Sequence, residues 1–230
     1  MELEKIQLSD VIKKHAHEKE YKENSALQVL LRNKNRLENF VDAVFAIAIT
    51  LLVLDLAVPI LKDSNDALFS FLMITWPKFL AYFIAFFVLA ALLNNHHRQF
   101  INIKYADQKL WWNNMAFLAF IVLVPFSTSV ISEYGDTLIG IIIFNFNLFI
   151  AGLLLYINWA IVMKRKYLLR ENTTFQTTEI IKYINLSVPL TTLLVIGLAF
   201  INPRMSIFGY LLIIIFYLFA KPLFNALNPY

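Results

Sequence analysis

Cysteine is absent from the 230-residue chain, which excludes disulfides, thiolate nucleophiles and cysteine-held metals. Glycine occurs only five times. None of the five sits in a phosphate-cradling loop, a G-x-S-x-G elbow or a TVGYG-like carbonyl filter. Histidine is scarce as well: His15 and His17 lie in the N-terminal arm, and His96 and His97 are adjacent. Adjacent side chains point about 100° apart on a helix, a poor arrangement for two metal ligands. Enzymatic chemistry is therefore not expected, and no cofactor is expected. Charged residues make up 16% of the chain, against about 25% in ordinary globular domains. No regular arginine repeat of the kind found in voltage sensors is present.

What the chain has in excess is apolar surface. It is 59% hydrophobic, with a mean hydropathy of +0.63. The apolar residues are bunched into runs of lipid-crossing length, so the excess belongs in a bilayer rather than in one oversized core. The predicted fold class is an all-α membrane protein with six transmembrane helices. Residues 1–35 form a charged arm without the apolar core or small-residue cleavage site of a signal peptide, so the arm is expected to stay on the protein. Residues 36–225 form the transmembrane domain and 226–230 a short tail. Spans are expected over 37–58, 77–93, 110–131, 138–163, 184–201 and 203–220. An interfacial helix over 68–76 leads into Pro77, since proline suits the first turn of a helix.

Lysine and arginine set the orientation. With the arm inside, the inner links hold Arg98, Lys104, Lys109, Lys164, Arg165, Lys166, Arg170 and Lys182, and Lys221 follows span six on the same side. The outer links hold only Lys62, Lys78 and Arg204, beside Asp63, Asp66, Glu133 and Asp136. Every link agrees on a multi-pass cell-membrane protein with both termini cytoplasmic. The net charge of +4 thus reflects topology, and no nucleic-acid partner is expected.

The first span differs from the others. In RLENFVDAVFAIAITLLVLDLAVP, acids stand at both ends of a lipid-length helix. Asp55, one turn before Pro59, is expected to snorkel to the outer interface. Asp42 lies deeper, where an ionisable group needs a partner, so it is expected to tie the helix to its neighbours. At 100° per residue, Ile47, Leu51, Leu54 and Val58 share a narrow stripe flanked by Thr50, and Asp42 points about 140° from Ile47. Such a stripe is compatible with packing, lipid contact or a pore lining.

The run RLENFVDAVFAIAITLLVLDL resembles the first-helix signature of the lysosomal and prokaryotic potassium channel family named transmembrane protein 175. Arg36, Phe40, Asp42, Val44, Phe45, Ala46, Ile47, Ala48, Thr50, Leu51 and Leu52 match it. HHRQF after span two and NNMAFLAFIVLVPFST in span three are also similar to the family. Val41 stands where the family usually has Ser, so one polar contact of the signature is missing. The resemblance implies a homotetramer whose four first helices line the pore. The constriction would fall on Ile47, Leu51 and Leu54, with the Thr50 hydroxyl contributing. A ring of Ile and Leu resists wetting, so a passing ion must shed part of its hydration shell. Potassium does so more readily than sodium, which implies moderate selectivity. The implied partners are permeating potassium ions, membrane lipid and further copies of the chain, with no bound metal beyond potassium.

Arg36, Phe40, Asp42, His96, His97, Asn113 and Asn114 are expected to form a structural network at the inner membrane face. Arg36 and Asp42 are not at i,i+4 spacing and are poorly placed to pair with each other. The alternative function is a secondary transporter of a small ion or solute, for which Pro125 and Pro189 would mark broken helices. Asn145, Asn147 and Asn158 are expected to hydrogen-bond between helices.

Overall fold

The computed structural model describes residues 28–29, 33–58 and 65–210, with the side chains at 204, 205, 207 and 208 left aside. Five helices among the described residues are long and apolar enough to cross a membrane: α1 (Asn33–Leu56), α2 (Asn65–Asn102), α3 (Gln108–Tyr134), α4 (Leu138–Lys164) and α5 (Phe175–Ile201). Of the sixth expected span only Pro203–Ser206 and Ile207–Tyr210 are described, as two short helical turns. Most of the arm, the rest of span six and the 226–230 tail lie outside the described residues.

Each helix begins and ends for a local reason. Lys34 and Glu38 pair at i,i+4 (2.8 Å) on the first turns of α1. The last turn of α1, Leu52–Leu56, tightens to a 3-10 helix before Ala57 turns extended, two residues ahead of Pro59. The Asp107, Thr137 and Thr174 side chains accept from the N–H groups of Leu110, Gly140 and Thr177, capping α3, α4 and α5. Helix α3 breaks at Leu123, two residues before Pro125, into α3a (Gln108–Val122) and α3b (Val124–Tyr134). Helix α5 breaks in the same way at Leu186, before Pro189, into α5a (Phe175–Asn185) and α5b (Ser187–Ile201). The proline lacks the N–H that would continue the ladder, and Ser and Thr hydroxyls take up nearby carbonyls. Ser127 and Thr128 donate to Val124 O, and Thr192 donates to Val188 O.

Helix α2 departs from the expected boundaries. The separate interfacial helix at 68–76 and the span at 77–93 are one 38-residue helix with Pro77 inside it. At 1.5 Å per residue it is about 57 Å long, nearly twice the ~30 Å of hydrocarbon that a span must cross. Its C-terminal end runs to Asn102 and carries His96, His97 and Gln99 on the helix. Hydropathy stops at the polar residues, but the backbone continues because neighbouring helices supply partners for them.

Helix α4 is the central element and packs against α3 and α5. Its side chains Phe144, Leu148, Leu155, Trp159 and Val162 are fully buried, and Trp159 Nε1 donates to Thr178 O (3.1 Å). At Gly152 the backbones approach so closely that a Cβ would lie 2.7 Å from Pro189 Cδ, a contact only glycine permits. At the cationic end the α2–α3 and α4–α5 links are joined by backbone. Lys104 N donates to Leu168 O (2.7 Å) and Arg170 N to Asn102 O (2.9 Å). Asp107 also pairs with Arg165 and accepts from Tyr167 Oη (3.0 Å). Burial opposes ionisation of Asp107, but the Leu110 N–H, Tyr167 and Arg165 outweigh it and hold the carboxyl below its ordinary range.

Candidate permeation helix and its supporting network

Helix α1 has two faces of different character. Leu37, Val41, Phe45, Ala48 and Leu52, spaced three or four apart, are fully buried against the rest of the chain. Phe45 meets Phe117 of α3 with ring centroids 5.8 Å apart. The opposite face is open. Ile47 is 59% exposed, Leu51 40%, Leu54 69% and Val58 67%. The Thr50 hydroxyl donates to Ile47 O (2.9 Å), which satisfies its hydrogen and leaves oxygen lone pairs on the exposed face.

The polar residues behind α1 form two clusters. In the first, His97 Nε2 lies 2.7 Å from Asp42 Oδ1, tying α1 to α2. The second is deeper, with His96, Gln99, Asn114 and Asn158 buried and Asn113 half-buried. His96 Nε2 lies 3.0 Å from Asn114 Oδ1, and Asn114 Nδ2 donates to Asn158 Oδ1 (2.8 Å). Asn113 Nδ2 reaches the same Asn158 oxygen (3.2 Å), and Asn158 Nδ2 donates to Gln99 Oε1 (2.7 Å). Gln99 Nε2 completes the chain at Leu155 O (2.8 Å). The His96 ring stacks on Phe100 at 4.1 Å, which fixes its plane.

Of the residues expected in the network, the structure brings together Asp42 with His97, and His96 with Asn113 and Asn114. Arg36 and Phe40 are not part of it. Both sit on the exposed side of α1, Phe40 at 48% exposure, and Arg36 makes no ion pair among the described residues. The α1 face that carries them is not the face packed on α2. Gln99 went unnoticed although it stands at i+3 from His96 on one helix face, the spacing that could have revealed it. At the other end of α1, Asp55 accepts from Ser132 Oγ (2.6 Å). It is thereby tied to α3b. No group of three His, Asp or Glu side chains placed to hold a metal occurs among the described residues.

The sequence profile described as endosomal/lysosomal potassium channel TMEM175 matches residues 36–125, which hold α1, α2 and α3a. Over residues 36–125 the chain is therefore similar to the TMEM175 family. A protein of Streptomyces collinus named as a potassium channel is 38% identical over 104 residues, covering 45% of this chain and 50% of that one. The human endosomal/lysosomal proton channel TMEM175 is 34% identical over 110 residues, 45% of this chain and 22% of the human protein. The chain spans about half the length of the bacterial relatives it matches. The fold likeness reaches further. The crystal structure of a lysosomal potassium-selective channel TMEM175 homolog from Chamaesiphon minutus superposes with a TM-score of 0.70 at 27% identity. It covers 82% of this chain and 98% of that one. A variant of the potassium channel MtTMEM175, at 19% identity and a TM-score of 0.55, shows the same fold. The helices after residue 125 therefore follow the TMEM175 arrangement with less sequence likeness than the first half.

Proposed function

We propose that the chain is one subunit of a cation channel that passes potassium, with α1 from each of four copies lining the pore. The observation that carries this reading is the two-faced packing of α1 in a chain similar to the TMEM175 family. One face is sealed against its own subunit, while Ile47, Leu51, Leu54 and Val58 stay open to another surface. In a ring of four, Ile47, Leu51 and Leu54 form an apolar constriction made of side chains. Such a ring resists filling with water, so an ion crosses by giving up part of its hydration shell. Potassium holds that shell less tightly than sodium, so the preference is real but moderate. The Thr50 hydroxyl, bonded back to Ile47 O, borders the ring without contacting the ion. The Asp42–His97 contact holds α1 on α2, so that the stripe keeps its aim. The channel sits in the cell membrane, and the Lys and Arg distribution supports both termini being cytoplasmic.

The test is flux through the purified full chain in liposomes, with potassium, sodium and proton gradients compared and single-channel currents recorded. Discrete current steps with potassium preferred over sodium are expected. Proton current without potassium current would move the chain to the ion in the name of its human relative. Flux at carrier turnover without unitary steps would overturn the channel reading in favour of a secondary transporter.

A further inference from the structure

At the cationic end of the bundle, the first turn of α1 and the two inner links enclose an open pocket of about 340 Å³. Its walls are Lys34, Asn35, Lys104, Arg170, Glu171 and Asn172. Three cations from three separate segments thus face one carboxylate. The pocket's base is fixed, because the backbone bonds from Lys104 to Leu168 and from Arg170 to Asn102 pin both links together. Lys34 is only 7% exposed and is held by Glu38, just outside the pocket. Arg170 has no carboxylate partner among the described residues. Lys104 is paired with Glu171 at 2.9 Å, but the Glu171 side chain is 85% exposed. An ion pair that open is weak, and Glu171 can swing into solvent when a better anion arrives.

We propose that this pocket binds a phosphate group, supplied either by an anionic lipid headgroup or by a soluble phosphate. A phosphate's oxygens suit the guanidinium fork of Arg170, the ammonium of Lys104 and the amides of Asn35 and Asn172. The site lies beside the helix ends that carry Lys164, Arg165 and Lys166, where a negative leaflet adds its own attraction. Because Lys34 opens α1, an occupied pocket clamps the start of that helix to the links after α2 and α4. The binding claim does not depend on α1 lining a pore.

The experiment uses the full chain in phosphatidylcholine nanodiscs and reads the thermal unfolding midpoint. Phosphatidic acid is titrated into the lipid, and inorganic phosphate is titrated separately at constant ionic strength. A rise with phosphatidic acid alone identifies a lipid headgroup, and a rise with inorganic phosphate identifies a soluble ligand. Either rise is expected to depend on the pocket. Arg170→Gln and Lys104→Gln each weaken the apparent affinity about fivefold. Glu171→Gln strengthens it, since a competing carboxylate is removed. Lys166→Gln, an exposed cation outside the pocket, weakens it less than either pocket variant and leaves binding of inorganic phosphate unchanged. If neither probe raises the midpoint, the proposal falls. It falls equally if Lys166→Gln weakens binding as much as Arg170→Gln, because the attraction is then a diffuse field. Glu171→Gln alters only an exposed side chain, so a failure to tighten overturns the proposal even if the cation variants do not fold.

Discussion

Replacing Asn158 with leucine should destabilise the bundle without changing which ions it passes. The side chain is 1% exposed on α4 and joins three helices at once. Its oxygen accepts from Asn113 and Asn114 of α3, and its amide donates to Gln99 of α2. Inter-helix hydrogen bonds in membranes average about 0.6 kcal/mol, so three lost bonds cost about 2 kcal/mol. The partners do not suffer equally. Asn113 keeps Leu154 O (3.0 Å) and Asn114 keeps Leu110 O (2.7 Å), whereas Gln99 Oε1 loses its buried donor. That orphan adds about 1 kcal/mol, and leucine's similar volume avoids a large cavity. The expected loss is about 3 kcal/mol in a reversible unfolding titration in mixed micelles. Gln99→Leu combined with Asn158→Leu should recover about 0.4 kcal/mol, because removing the orphan regains about 1 kcal/mol while the bond from Gln99 to Leu155 O, about 0.6 kcal/mol, is lost as well. A single-variant loss under about 0.5 kcal/mol, the scale of an ordinary surface substitution, would refute the network's role. So would a double variant with strictly additive losses.

Asp42→Ala removes a 2.7 Å contact whose partners are 45% and 41% exposed, so solvent screening limits the stability loss to about 1 kcal/mol. Its effect should appear in thermal stability or oligomer assembly, and a stable assembly with altered selectivity alone would place Asp42 in the ion path. Ile47→Asn wets the proposed constriction and should lower the potassium-over-sodium preference, read as reversal potentials under bi-ionic conditions. An unchanged ratio would remove Ile47 from the constriction. Thr50→Val keeps the shape and discards a hydroxyl whose hydrogen is already given to Ile47 O, so conductance and selectivity should both survive. A loss of either would mean that the oxygen itself contacts ions. Asp107 has a lowered folded-state pKa, so its stabilising contribution is full above the unfolded value near 3.8. That contribution fades as pH falls through the lower folded value, and Asp107→Asn should flatten this acid limb of the unfolding midpoint.

The sequence by itself determined the solvent this protein folds in and the helix that sets it apart. Runs of apolar residues long enough to span lipid can be read directly, because a bilayer demands them wherever the chain crosses. The matched residues from Arg36 to Leu52 and the stripe at Ile47, Leu51 and Leu54 were legible for a related reason: both depend on spacing along one helix. Helix boundaries at polar residues were less legible. Hydropathy ended α2 near Leu93, but His96, His97 and Gln99 remain helical because residues on other helices satisfy them. Only the tertiary structure decided which polar groups meet. Arg36 and Phe40 share a helix with Asp42 yet point away from α2, while Gln99 and Asn158, 59 positions apart, come within 2.7 Å. Local spacing fixes the direction of a side chain on its own helix. The partner it finds there depends on how separate helices are rotated and set against one another, and that is a property of packing.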